Sequence, residues 1–201
     1  MNQSRELLAL SSAATIGIII GLVILILVVW LITMYNGLVR RRQSCHESWA
    51  DIDTELKRRH DLVPNLVSTV KGYASHEKDL METVTTLRQE AQSTEGTNTA
   101  QRSRVEAQLG AGLHKLIATA EAYPDLKASA NFLDLQKELG ETETRIARAR
   151  RFYNANVRGL HNSCQTFPSS LIARAGGFSS GEFDFFQLDD VSEAAPVDVS
   201  F

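Results

Sequence analysis

The chain's strongest constraint is an uncharged apolar run near its N-terminus, residues 13–34, from Ala13 to Met34. Fourteen residues between Ile16 and Ile32 are Ile, Leu or Val. At ~1.5 Å per residue, a helix over the run is ~33 Å long, which matches a hydrocarbon core ~30 Å thick. A cleaved signal sequence has a shorter apolar core that ends at a small-residue site, and this run has no such site. The run therefore predicts one retained transmembrane helix.

Positive charge follows the run closely and predicts its orientation. Arg40, Arg41 and Arg42 lie just after it, whereas the short N-terminal segment, residues 1–12, carries Arg5 beside Glu6. Because Lys and Arg are retained on the cytoplasmic side of a membrane, we expect the C-terminal body to be cytoplasmic and the N-terminus to lie outside. The expected location is the cytoplasmic membrane, crossed once.

Small residues recur within the run at steps of four, at Ala13, Gly17 and Gly21. This spacing lets two helix backbones approach closely in a bilayer. It predicts packing between two copies of the membrane helix, and hence a homo-oligomer. The alternative is chance, because glycine is common in membrane helices.

The remaining sequence has the composition of a helical protein. Ala, Leu, Arg and Glu are among the commonest residues, while only 7% of residues are aromatic and four are proline. The net charge of −3 gives no indication of a nucleic-acid partner. Cys45 and Cys164 form no paired motif, and we interpret them as small core residues rather than as metal ligands or a disulfide.

Apolar residues repeat at steps of three and four over residues 35–167, which predicts amphipathic helices. Pro64 interrupts the first of them, because proline removes a backbone donor and disfavours helix at the preceding residue. We therefore expect an all-α fold in which the anchor precedes an antiparallel four-helix bundle, with a turn near Pro64. The alternative is a three-helix arrangement whose long first helix is kinked there. The predicted core residues are Trp49, Ile52, Leu56, Leu66, Tyr73, Phe132, Leu135, Leu139, Ile146 and Tyr153.

The C-terminal tail, residues 168–201, differs from the helical region. It contains glycines, six acidic residues from Ser179 onward, and no basic residue there. The last dozen residues are expected to be disordered. Four phenylalanines are candidates for docking on the bundle or on a partner: Phe178, Phe183, Phe185 and Phe186.

No catalytic, cofactor-binding or metal-binding pattern emerges. The pairs His46-Glu47 and His76-Glu77 lack the second histidine that a zinc-protease helix requires. There is no P-loop or GxGxxG motif. A lone His60 beside two arginines is expected to be solvated. The sequence predicts a protein that is not an enzyme and has no cofactor.

Basic clusters are the remaining candidates for binding. Arg40, Arg41 and Arg42, then Lys57, Arg58 and Arg59, and finally Arg150 and Arg151 could contact lipid headgroups or an acidic partner. The alternative for the later clusters is a solvated helix face with local ion pairs, such as Glu55 with Arg59.

Several of these stretches together resemble the LemA family of bacterial membrane proteins, over about residues 35–186. The most specific matching segments are Tyr35-Asn36-Gly37-Leu38-Val39, Trp49-Ala50-Asp51-Ile52-Asp53, Leu56 through Val67, Tyr123 through Lys127, Ala149-Arg150-Arg151, Tyr153-Asn154 and Phe167-Pro168. The resemblance implies an N-terminal anchor and a helical bundle. It does not imply an enzyme.

Taken together, the sequence predicts a non-enzymatic single-pass membrane protein that acts as a self-associating helical scaffold at the membrane surface. One alternative is a membrane-tethered adaptor that recruits an unidentified protein partner. Another is an accessory subunit of a membrane enzyme.

Overall fold

The structure is a computed structural model that describes residues 2–74, 76–96 and 98–187, with side chains described from residue 16 onward. Within those ranges all regular secondary structure is α-helical, which confirms the expected class. The helices are α1 (Asn2–Lys71), α2 (Lys78–Ser93), α3 (Thr99–Ala120), α4 (Pro124–Lys127), α5 (Ala130–Gln165) and α6 (Ser169–Ala175). The predicted disordered end falls in residues 188–201, outside the described part.

The chain divides into two compact units. The anchor unit comprises residues 1–43 and 159–182, and the body unit comprises residues 44–158 and 183–201. Helix α6 belongs to the anchor unit and lies in the segment that the sequence suggested was an irregular tail.

The core of the body unit forms where one face of each of the helices α1 to α5 is buried. Residues that recur at steps of three and four are buried together, as expected for amphipathic helices. These core residues are Val63, Leu66 and Val70 of α1, Met81, Val84 and Ala91 of α2, Leu109, Leu113, Leu116 and Ala120 of α3, Leu126 of α4, and Phe132 and Leu139 of α5.

Most of the predicted core residues are buried, with three exceptions. Ile52, Leu56, Leu66, Phe132, Leu139, Ile146 and Tyr153 are buried. Trp49 and Leu135 are half-buried. Tyr73 is 50% exposed, so its prediction as a core residue is wrong. It lies just past the end of α1, where the helical periodicity that suggested burial no longer applies.

Helix α1 continues through Pro64, and the predicted turn there is wrong. The chain turns instead after Lys71, where Ala74 N donates to Val70 O at 2.8 Å. Proline at position 64 leaves the carbonyl of His60 without its helical donor. Arg88 Nε of α2 donates to that carbonyl at 2.6 Å, so the cost of proline inside the helix is partly offset. The antiparallel four-helix arrangement itself stays a prediction.

Helices α2 and α3 are joined by a short connection and approach closely. Gly96 has a φ of +78°, a conformation that glycine adopts without strain. Asn98 caps α3, since its side chain accepts from Ala100 N at 2.7 Å. Deeper in the pair, a Cβ on Gly112 would lie 3.3 Å from a methyl of Leu87. The missing side chain lets the two helices pack.

In the anchor unit, the N-terminal half of α1 is apolar and open. The large apolar side chains from Ile16 to Ile32 are 42–70% exposed. By length and composition this helix is a candidate membrane span. Beyond the apolar run, Leu38 is buried, and the Tyr35 ring packs edge-on against Phe178 at 5.7 Å.

Candidate functional site

A buried cluster of three ionisable side chains joins α1 to α3 in the body unit. Arg59 and His60 of α1 are 1% exposed, and Glu106 of α3 is fully buried. One carboxylate oxygen of Glu106 accepts from Arg59 Nη2, and the other accepts from His60 Nε2 at 2.9 Å. Arg59 Nη2 also donates to the backbone carbonyl of Glu106 at 3.1 Å. These bonds fix the register of α1 against α3.

Glu106 is a carboxylate at neutral pH, although it is buried. Burial alone raises its pKa, because it penalises the charged form. The hydrogen bond from His60 and the positive charge of Arg59 outweigh burial and hold the pKa of Glu106 below its ordinary value. Because the carboxylate accepts, His60 Nε2 carries the donated hydrogen.

Arg59 also reaches α5. Its Nη1 donates to Glu143 at 3.2 Å, and 42% of the Glu143 side chain is exposed. One guanidinium therefore connects three helices, with Glu106 on its buried side and Glu143 on its open side. Two buried nitrogens of the cluster have no hydrogen-bond partner within the described part of the chain: Arg59 Nε and His60 Nδ1.

A recess of about 280 Å³ adjoins Arg59 between α3 and α5. Its lining residues are Arg59, Gly110, Leu113, His114, Ile117, Gln136, Leu139, Gly140 and Glu143. The walls are largely apolar, and a Cβ at Gly140 would meet no atom within 4 Å. The volume lies at the low end for small-molecule sites. No Ser, Thr, Cys or Tyr lines it, so it offers no hydroxyl or thiol nucleophile.

A second cluster surrounds Trp49 of α1. The Tyr153 ring lies 5.1 Å from the Trp49 ring, and the Phe186 ring lies 5.6 Å from it, edge-on. The guanidinium carbon of Arg102 is 5.3 Å from the Trp49 ring centroid, at cation–π distance. Arg102 also forms an ion pair with Asp53. Trp49 is therefore enclosed although it is not fully buried.

The segment 183–187 is held on the body unit by its backbone. Asn154 Nδ2 donates to Phe186 O at 3.0 Å, and Asn154 Oδ1 accepts from Phe186 N at 3.0 Å. Tyr153 Oη donates to Asp184 O at 2.9 Å. Burial, together with Cys45 and Asp184, strongly raises the pKa of Tyr153, so the phenol remains a donor. We call this arrangement the tail latch.

The phenylalanines that the sequence singled out lie mostly inside their own chain. Phe186 is fully buried and Phe183 is 9% exposed, with the Phe183 ring 4.8 Å from the His46 ring. Phe178 is buried in the anchor unit, and Phe185 is half-buried. Phe183 and Phe186 therefore dock on the body unit of their own chain, which is one of the two alternatives. Phe178 packs against Tyr35 in the anchor unit.

The anchor unit brings together other predicted residues. Arg42 pairs with Glu182 and lies 5.9 Å from the centroid of the Phe178 ring. Arg41 Nη1 lies close to Gly159 of α5. A Cβ at Gly17 or Gly21 would meet no protein atom within 4 Å, so this face of the span is open. Ala13, the third small residue, lies outside the described side chains.

Sequence reasoning missed the buried ion cluster. Arg59 and His60 were expected at the surface, and that expectation is wrong because both lie at core positions between Leu56 and Val63. Glu106 lies three residues before Leu109 on the buried face of α3. The signal available in the sequence was a charged residue, Glu106, at a position where the helical repeat predicts an apolar one. Lys57, Arg58 and Arg151 are exposed, and Arg150 is half-buried.

In the described ranges no group of three His, Cys, Asp or Glu residues is placed to hold a metal ion. His46 and His76 lie apart from one another, on α1 and in the connection after it. Each oxygen of Glu106 accepts a hydrogen bond from within the cluster, one from Arg59 and one from His60.

Comparison with known proteins places the chain in a family. The sequence model of the LemA family matches residues 48–201. A protein named Protein LemA from Metamycoplasma hominis is 25% identical over 142 residues, which is 69% of this chain. The match spans 63% of that relative's length. The extent of the family match, over more than half of the chain, shows that this protein belongs to the LemA family.

Proposed function

We propose that this chain is a non-enzymatic, single-pass membrane protein that acts as a self-associating helical scaffold at the membrane surface. The observation that carries the proposal is the apolar stretch of α1. Its large side chains from Ile16 to Ile32 are not covered by other parts of the described chain. Burying so much apolar surface requires lipid or another helix. The apolar stretch belongs to helix α1, Asn2–Lys71.

The orientation follows from the charges after the span. Arg40, Arg41 and Arg42 favour a cytoplasmic body and an external N-terminus, in a bacterial inner membrane. Arg42 is paired within the chain, but its charge still adds to the positive side of the flank asymmetry.

Self-association is supported by the open face at Gly17 and Gly21. Lipid tails are as apolar as leucine, so membrane helices pair through close packing of small residues. With no side chain at either position and no protein atom near, a second α1 backbone has room to approach.

The absence of an enzymatic role is supported by the chemistry of the buried cluster. Arg59 bonds to two carboxylates, and each Glu106 oxygen accepts a hydrogen bond from a side chain of the cluster. A general base must lie within reach of a substrate proton, whereas Glu106 is fully buried. This cluster is arranged to hold helices together.

The test is the mass of the full chain in a mild detergent over a wide range of concentrations. We expect an oligomer, and we expect the double variant Gly17→Leu/Gly21→Leu to shift it toward monomer. The matched control is Ile19→Leu/Val23→Leu, which changes shape at the same spacing on another face. A strict monomer at every concentration contradicts the proposal, as does equal dissociation by both double variants.

A second function, a membrane-tethered adaptor or an accessory subunit of a membrane enzyme, is favoured by the tail latch. Three hydrogen bonds and two aromatic side chains hold the segment 183–187. A segment of a partner protein could make the same few contacts and displace it. The variant Asn154→Ala discriminates between the two roles. A scaffold keeps its oligomeric state when the latch opens, whereas an adaptor changes the set of membrane proteins that co-purify with it.

A further inference from the structure

The anchor unit carries a second exposed apolar surface besides the span. Phe167 is 76% exposed and Leu171 is 61% exposed. They flank the start of α6, the short helix that follows α5. Arg174, one turn further along α6, is exposed as well. Two large apolar side chains and one cation therefore lie together in a short segment.

The residues just after α6 contact Tyr35, the residue that follows the apolar run. A Cβ on Gly176 would lie 3.0 Å from Tyr35 Cε2, and the Phe178 ring packs against the Tyr35 ring. Tyr35 directly follows Met34, the last residue of the run. Tyrosine at such a position lies at the level of the lipid headgroups. The segment after α6 is thus held at that level.

The path of α5 leads to the same level. Gly159 of α5 lies beside Arg41 of α1, and α5 ends six residues later, at Gln165. Six helical residues rise ~9 Å, which is also the rise along α1 from Arg41 back to Tyr35. Since the chain next returns to Tyr35 through Gly176, α5 runs toward the span and delivers Phe167 close to the end of the apolar run.

From these contacts we infer that Phe167 and Leu171 insert into the headgroup–acyl boundary of the bilayer that α1 spans, so that α6 makes a second contact with the membrane. The inference rests on the proposed membrane span. Apolar side chains combined with nearby cations are the features by which short interfacial segments bind lipid. Arg174, which is exposed on α6, gives the segment affinity for anionic headgroups.

The test uses a nitroxide spin label at Leu171→Cys in a Cys164→Ser background, in the full chain reconstituted into phosphatidylcholine–phosphatidylglycerol vesicles. The measured quantity is the ratio of collision rates with oxygen, which concentrates in lipid, and with a water-soluble nickel chelate. Two control sites accompany it: Leu25→Cys in the span, and Asn162→Cys, which is exposed on α5. The Cys164→Ser chain without a new cysteine measures any labelling of buried Cys45.

We expect the oxygen-to-nickel ratio at position 171 to be several-fold above that at position 162 and below that at position 25. A ratio at 171 equal to that at 162, with lipid values at 25, overturns the inference and leaves the span intact. Water-like values at position 25 overturn both. Dipolar coupling between labels at 171 on different copies, without oxygen access, would show that a second copy covers the surface instead and would also overturn the inference.

Because Phe167 and Leu171 are exposed, their replacement leaves the packed core untouched. The double variant Phe167→Ser/Leu171→Ser should keep the helical circular dichroism of the parent chain. With a label at Ile172→Cys, which is half-buried on α6, the oxygen-to-nickel ratio should fall in that double variant. An unchanged ratio contradicts insertion by these two side chains.

Discussion

Replacing Glu106 by glutamine tests whether the buried ion cluster holds the body unit together. The amide has almost the shape of the carboxylate but no charge, and its NH2 group can only donate. Glu106 accepts from Arg59 on one oxygen and from His60 on the other, so in the variant one of these donors faces another donor. Arg59 keeps Glu143 alone as its carboxylate partner.

The expected loss follows from this geometry. Removing one partner of a buried ion pair costs ~3–5 kcal/mol, because the other charge stays buried without compensation. One amide oxygen still accepts, so Glu106→Gln should fall near the lower end, at ~3 kcal/mol. For a chain of this size that corresponds to a fall in the melting temperature of ~6–12 °C.

The assay is thermal unfolding of the full chain in detergent, followed by circular dichroism at pH 7. The matched control is Glu141→Gln, the same chemical change in an exposed pair with Arg145 on α5, for which we expect less than ~0.5 kcal/mol. If the two variants melt together, the cluster does not stabilise the fold and the reasoning is refuted. The double variant Arg59→Met/Glu106→Leu should be more stable than Glu106→Leu alone, because it leaves no unpaired arginine.

The wild-type chain and Glu106→Gln should also differ in how their stability depends on pH. Because the folded pKa of Glu106 lies below its ordinary value of 4.5, its contribution is fully present above that ordinary pKa. It is lost as the pH falls below 4.5 and passes through the folded pKa. The stability difference between wild type and Glu106→Gln should therefore be constant at neutral pH and shrink on acidification. A difference that grows toward low pH would contradict the assigned sign.

Three further changes probe the packing. Asn154→Ala removes both hydrogen bonds to the backbone of Phe186. Because each bond contributes ~1 kcal/mol or more, amide exchange at Phe186 should accelerate by at least about tenfold. Unchanged exchange would show that the aromatic contacts alone hold the segment. Arg88→Met should cost ~1–3 kcal/mol in thermal unfolding, and less when made together with Pro64→Ala, which restores the backbone donor; equal costs in both backgrounds would exclude the link. Gly112→Val should lower stability by ~1–3 kcal/mol through overpacking between α2 and α3, and a neutral result in the same melt would show that the helices can separate without loss.

The helical class and most of the core were predictable because they depend on local periodicity. Ile52, Leu56 and Ile146 recur at helical spacing and are buried as expected. These features are determined by residues that are neighbours in the sequence, which is why sequence alone was enough.

The turn predicted at Pro64 failed because the compensation comes from far away. Proline's missing donor is a local property, whereas Arg88 lies on another helix, 28 residues after His60 in the chain. The local rule counts the lost hydrogen bond but cannot count the one that replaces it.

The buried cluster was missed for a similar reason. Two arginines and a histidine in a row are usually solvated, and the composition favoured that interpretation. The burial of Arg59 and His60 depends on Glu106, 47 residues after Arg59. A carboxylate within an apolar face is informative only once its partner is known. Pairings between helices are the part of this fold that periodicity does not encode.

The link between Pro64 and Arg88 has an evolutionary consequence. The proline in the middle of α1 leaves an acceptor that a side chain of the adjacent helix α2 uses, so the two positions together favour α2 as the helix that lies alongside. Relatives that lack the proline have no such acceptor and are under no pressure to retain the arginine. Across the family the two positions should therefore vary as a pair, and an alignment in which they vary independently would argue that the bond is incidental.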